Sequence, residues 1–92
     1  MALLSDDDIQ TALEDGDWRR EGATLVRDWR FADFAAAIAF VERVAELAEQ
    51  SNHHPDILVH GWNHVRLTLS THSEGGVTAA DLALAQRIDT LG

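Results

Sequence analysis

The sequence predicts an α+β fold, a four-stranded antiparallel sheet with helices on one face, in the order α-β-β-α-β-β-α. Three observations carry this expectation. Apolar residues recur at helical spacing through one long segment, Asp33 to Ser51. Apolar and polar residues alternate through Thr24–Phe31 and again through Val65–Leu69, the mark of half-buried strands. Each of those strands adjoins a second short extended segment, so the strands come as two pairs around the long helix. Segregated pairs of this kind favour antiparallel pairing with helices packed on one sheet face.

Taken in order, Ser5 is a good N-cap, and Asp8 three residues on makes an approximate capping box. Asp6, Asp7 and Asp8 suit the positive end of a helix dipole. A first helix is expected from Asp6 to Glu14, ended by Gly16. Trp18 to Glu21 reads as a short strand, Glu21-Gly22 as a turn, and Thr24 to Phe31 as its partner. Leu25, Arg27, Trp29 and Phe31 share one side of that strand; Val26, Asp28 and Arg30 share the other.

The long helix carries two apolar stripes. Phe34, Ile38, Val41, Ala45 and Ala48 form one; Phe40, Val44 and Leu47 lie beside it. A helix apolar over so wide an arc buries both stripes, one on the sheet and one on another helix or a second subunit. Pro55 breaks the helix and holds His54 in extended geometry. Ile57–His60 reads as a third strand, Gly61 as a turn, and Val65–Leu69 as the fourth strand. Glu74-Gly75-Gly76 is a loop. Thr78 and Asp81 then form a capping box on a last helix that buries Leu82, Leu84, Ala85 and Ile88.

Composition narrows the functions. Ninety-two residues make a single domain, 1–92, whose modest core gains from oligomerisation. The absence of cysteine excludes disulfides, thiolate nucleophiles and Cys-ligated zinc. A formal charge of −9, from seven basic and sixteen acidic residues, repels phosphate backbones and anionic lipids. No direct nucleic-acid partner and no membrane partner are expected. The start of the chain has neither a basic region nor a long apolar run, so a cytoplasmic location is expected.

Five histidines stand out in a chain with few other chemical groups. His53 and His54 end the long helix, and His72 follows the last strand, so one rim of the sheet can hold all three. Imidazole is the side chain best suited to giving and taking protons near neutral pH. His60 and His64 flank a turn, where a spacing of four loses the meaning it has on a helix. A zinc site on His53, His54 and His72 is a competing reading, disfavoured by the missing cysteines and the missing His-Glu-x-x-His pattern.

Glu49, three intervening residues, His53-His54-Pro55, then Trp62, His72 and Asp81 resemble the signature of the pterin-4a-carbinolamine dehydratases. Leu67-Thr68-Leu69-Ser70-Thr71-His72 is similar to that family's strand-to-loop segment, and Trp18 with Phe31-Ala32-Asp33-Phe34 resembles its first hairpin and helix start. The resemblance spans about Leu13 to Ile88. It implies the same element order, dehydration of 4a-hydroxytetrahydropterin to quinonoid dihydropterin, and recycling of the pterin used by aromatic amino acid hydroxylases. It implies no metal and no bound organic cofactor, and a homodimer or homotetramer.

By the same resemblance His53, His54 and His72 are the catalytic histidines. His54 and His72 are expected to exchange protons with substrate while His53 orients the pterin. Glu49, Trp62, Ser70, Thr71 and Asp81 are the expected substrate-binding group. Glu49 can instead be a solvated helix residue, Asp81 simply a cap, Trp62 core packing, and Ser70 and Thr71 ordinary strand-end residues. Asn52 and Ile57 depart from residues found in some relatives, an acid before the paired histidines and an aromatic after Pro55. The alternative function is a non-enzymatic interaction module, such as a transcriptional dimerisation cofactor, in which the three histidines are idle.

Overall fold

A computed structural model describes residues 2–91. Its elements are α1 (Asp6–Leu13), β1 (Arg19–Glu21), β2 (Thr24–Arg30), α2 (Phe34–Ser51), β3 (Asp56–His60), β4 (His64–Leu69), a 3-10 turn (His72–Glu74) and α3 (Ala79–Asp89). The four strands form one antiparallel sheet in the order β1-β2-β4-β3, matching the element order and fold class expected from the sequence.

The period of two sets the two faces. Leu25 and Trp29 on β2, with Val65, Leu67 and Leu69 on β4, point to the helices and are buried. They meet Ile9 of α1, Ala37, Phe40 and Val44 of α2, and Leu84, Ala85 and Ile88 of α3 in one core. The opposite face carries Arg19, Asp28 and Arg66, joined by bonds of 2.9 Å (Arg19–Asp28) and 2.8 Å (Arg66–Asp28). Arg27 is the charged exception on the inward side. Its guanidinium lies 4.5 Å over the Trp29 ring and reaches Asp89 at the end of α3 and Asp17 before β1.

Caps place the helices. Ser5 accepts from Asp8 N–H, Asp33 from Ala36 N–H, and Thr78 with Asp81 completes the reciprocal capping box. The stripes of α2 resolve into a buried face of Ala37, Phe40, Val44 and Ala48, and an outer one on which Phe34 and Ala45 are exposed and Ile38 half-buried. Trp18 is not a strand residue. It precedes β1, packs edge-on against Trp29 at 5.8 Å, and donates its indole N–H to Asp89.

Candidate active site

The hairpin of β3 and β4 brings two distant chain segments to one rim. Asp56 pairs with Thr68, so the residues just before β3 and just after β4 lie at the same end of the sheet. His53 and His54 arrive from one side, Thr71 and His72 from the other.

The end of α2 aims the first pair. Asn52 takes the left-handed conformation at φ 50°, which asparagine tolerates better than most residues. Its N–H bonds the Glu49 carbonyl, and the His53 N–H bonds the Ala48 carbonyl at 3.1 Å. These two reversed bonds are a Schellman motif, which stops the helix and turns the chain into His53. Pro55 then prevents any resumption of helix.

His53 lands on Asp81. The imidazole Nε2 and carboxylate Oδ1 are 2.6 Å apart, and Asp81 is wholly buried at the start of α3. The other carboxylate oxygen, Oδ2, accepts from the Thr78 N–H and the Thr71 hydroxyl, both at 2.8 Å. Three neighbours thus converge on this one buried carboxyl group. The carboxylate accepts, so His53 donates through Nε2–H and leaves Nδ1 facing away from Asp81. Among the described residues nothing else bonds that ring. Asp81 is thus both the capping residue foreseen and a tether for His53.

His54 makes a different pair. Its Nε2 meets Glu49 Oε2 at 2.5 Å, and both side chains are exposed. His72 is exposed at the start of the 3-10 turn, where its carbonyl accepts from Gly75 N–H. The loop expected at Glu74-Gly75-Gly76 begins in this 3-10 turn, which is closed by Gly75 at φ 73° and by the Thr71–Gly76 bridge.

Three other residues named from the sequence sit differently. Ser70 spends its hydroxyl proton on the Ala23 carbonyl across the sheet, at 3.0 Å. Thr71 spends its own on Asp81. Trp62 lies in the β3–β4 turn, at the far end of the hairpin from His53, and is 61% exposed. At about 3.3 Å per residue, the length of β3 separates it from the histidine rim within one chain; nor does it fill the core. A cavity of about 630 Å³ lies under α1, against Ile9, Leu13 and Trp18, and no histidine lines it. Among the described residues, no cluster of three His, Cys, Asp or Glu side chains is placed to hold a metal ion.

The structure is thus an antiparallel α+β sheet with two acid-paired imidazoles at one rim. The pterin 4 alpha carbinolamine dehydratase family model matches residues 2–91, and the chain belongs to that family. A relative from Nocardia farcinica whose name places it in the same family is 53% identical over 90 residues, covering 97% of this chain and 94% of its own. One from Thermomicrobium roseum is 48% identical over 92 residues, covering 99% and 98%. A crystal structure of a transcriptional coactivator/pterin dehydratase from Brucella melitensis superposes with a TM-score of 0.88, at 33% identity and 96% coverage of both chains. A pterin dehydratase-like protein identified as a RuBisCO assembly factor in the alpha-carboxysome gives 0.70, at 30% identity, covering 84% and 90%.

Proposed function

We propose that the chain dehydrates 4a-hydroxytetrahydropterin to quinonoid dihydropterin by histidine acid–base catalysis. The supporting observation is the His53–Asp81 pair at the rim where His54 and His72 also emerge, in a chain of this family. The reaction removes a proton from a ring nitrogen and a hydroxyl from the adjacent carbon, forms a C=N bond and releases water. One group must accept the nitrogen's proton and another must protonate the leaving oxygen. His54, with the Glu49 carboxylate behind it, and the exposed His72 take these two roles. His53, oriented by Asp81, holds the pterin through Nδ1. Glu49 and Asp81 then serve substrate binding through the histidines they orient. Ser70 contributes backbone groups, its hydroxyl being engaged elsewhere.

The exposed Phe34 on the outer side of α2, with half-buried Ile38 beside it, supports self-association as a homodimer or homotetramer. Among the described residues no helix is long and apolar enough to cross a membrane, which is compatible with action in the cytoplasm. The test is turnover of freshly generated carbinolamine by wild type and by H53A, H54A and H72A. Each variant is expected to lose most activity. Wild type no faster than buffer, or all three variants at wild-type rate, would overturn the reading. An inactive wild type would favour a non-enzymatic interaction module, for which co-purification is the assay.

A further inference from the structure

The protons of the two threonines can be counted. Thr71 Oγ1 lies 2.8 Å from Asp81 Oδ2 and 2.7 Å from Thr78 Oγ1. A hydroxyl has one proton to give. The carboxylate only accepts, so the Thr71 proton goes to Asp81. The Thr78 proton therefore goes to Thr71. Thr78 Oγ1 in turn accepts from the Ala80 N–H at the first turn of α3. Every member is fixed in direction: Ala80 N–H to Thr78, Thr78 to Thr71, Thr71 to Asp81, and His53 Nε2–H to the carboxylate's other oxygen. Thr78 and Asp81 are fully buried, and Thr71 is partly so.

We infer that Thr71 is a positioning residue whose hydroxyl, set by Thr78, fixes the Asp81 carboxylate and through it the Nε2–H tautomer and ring plane of His53. Its hydroxyl has no proton left to donate to a pterin, because that proton goes to Asp81. Thr71 and His53 are 18 residues apart in sequence and belong to different segments of the rim, so the relay also ties the strand-end loop bearing His72 to the helix end bearing His53. The consequence for catalysis rests on the dehydratase reading above; the consequence for His53 does not.

The experiment compares wild type, Thr71→Val and Thr71→Ser by nitrogen-15 NMR of the imidazoles in the substrate-free protein, alongside dehydratase kinetics. Valine keeps the shape and deletes the hydroxyl; serine keeps the hydroxyl. Wild type and T71S are expected to show His53 protonated at Nε2, and T71V to show mixed tautomers or a broadened resonance. In turnover, T71V is expected to lose about tenfold in kcat/KM, of the order seen when a group orienting a functional histidine is removed, with recovery in T71S. If T71V does not fold, Thr71→Ala carries the same comparison. An unchanged His53 spectrum in a folded hydroxyl-free variant would overturn the inference, whatever the activity. If wild type has no dehydratase activity, the function proposed above fails while the spectra still decide this one.

Discussion

His53 Nε2 and Asp81 Oδ1 are 2.6 Å apart across 28 residues of sequence, and the carboxylate has no solvent exposure. Removing the charge while keeping the shape tests what that contact does. In Asp81→Asn, an amide NH2 or a carbonyl must face Thr71 O–H, Thr78 N–H and His53 Nε2–H, all of them donors. Either one donor is left opposing another in a buried site, or His53 must move its proton to Nδ1 to accept from the amide. The expected cost is about 1–3 kcal/mol of stability, read from urea unfolding, together with a 10- to 100-fold loss of turnover, an order-of-magnitude expectation for a histidine-orienting partner. Unchanged stability and rate would mean that Asp81 acts only through its backbone.

The Glu49–His54 pair is the contrasting case. Both side chains are more than half exposed, so solvent and salt screen the attraction and little stability is at stake. Glu49→Gln is expected to leave the melting temperature unchanged within about 1 °C. Its effect belongs in the rate: about a threefold drop at low salt, shrinking as ionic strength rises to about 0.5 M, where the Debye length falls to a few ångströms. A loss independent of salt would point instead to direct contact between Glu49 and the pterin.

Much of this arrangement is legible in the sequence because local rules and tertiary fold agree. The Thr78–Asp81 capping box needs only a spacing of three, and the outward and inward sides of β2 need only a period of two. What the sequence does not carry is which end of the sheet a turn residue reaches. Trp62 reads as a pocket or core residue along the chain and lies a whole strand away from His72 in space. Nor does it show that one Asp81 oxygen caps α3 while the other tethers His53, since that requires packing α2 against α3. Trp18 reads as the first residue of a strand, yet it lies just before β1 and its indole is committed to Asp89, 71 residues on. Asn52 did leave a signal: an asparagine directly after an apolar helix suits the left-handed stop it makes.

That stop gives a third test. At φ 50° a side chain with a Cβ is strained unless, like asparagine, it tolerates the left-handed region. Asn52→Gly is expected to be neutral or stabilising by up to about 0.5 kcal/mol, and Asn52→Ala to destabilise by about 1 kcal/mol. Both are read from urea midpoints at constant m. Because His53 N–H is part of the same motif, N52A is also expected to lower turnover more than its stability loss explains. Equal midpoints for alanine and glycine would show that the cap carries no strain.

The open face of the sheet sets a pH dependence. The hydrogen bond from Arg66 does most to hold the Asp28 carboxyl below the usual carboxylate range; burial opposes it, and the weaker effect of the Arg19 bond adds to it. The bonds to Glu21 and Asp28 raise the Arg19 guanidinium in return. A carboxyl depressed in the folded state contributes stability at pH values above its unfolded value, about 3.9 for aspartate, and that contribution is lost as the pH falls through the lower folded value. Asp28→Asn is therefore expected to melt a few degrees below wild type throughout pH 5–7, roughly 2–5 °C for partly exposed pairs in a domain of this size. The gap should narrow as the pH falls below about 4 and close once Asp28 is protonated in both states. Circular dichroism melts of the two proteins across that range decide it; a gap of constant width down to the acid limit would show that the Arg19–Asp28–Arg66 network acts through shape rather than charge.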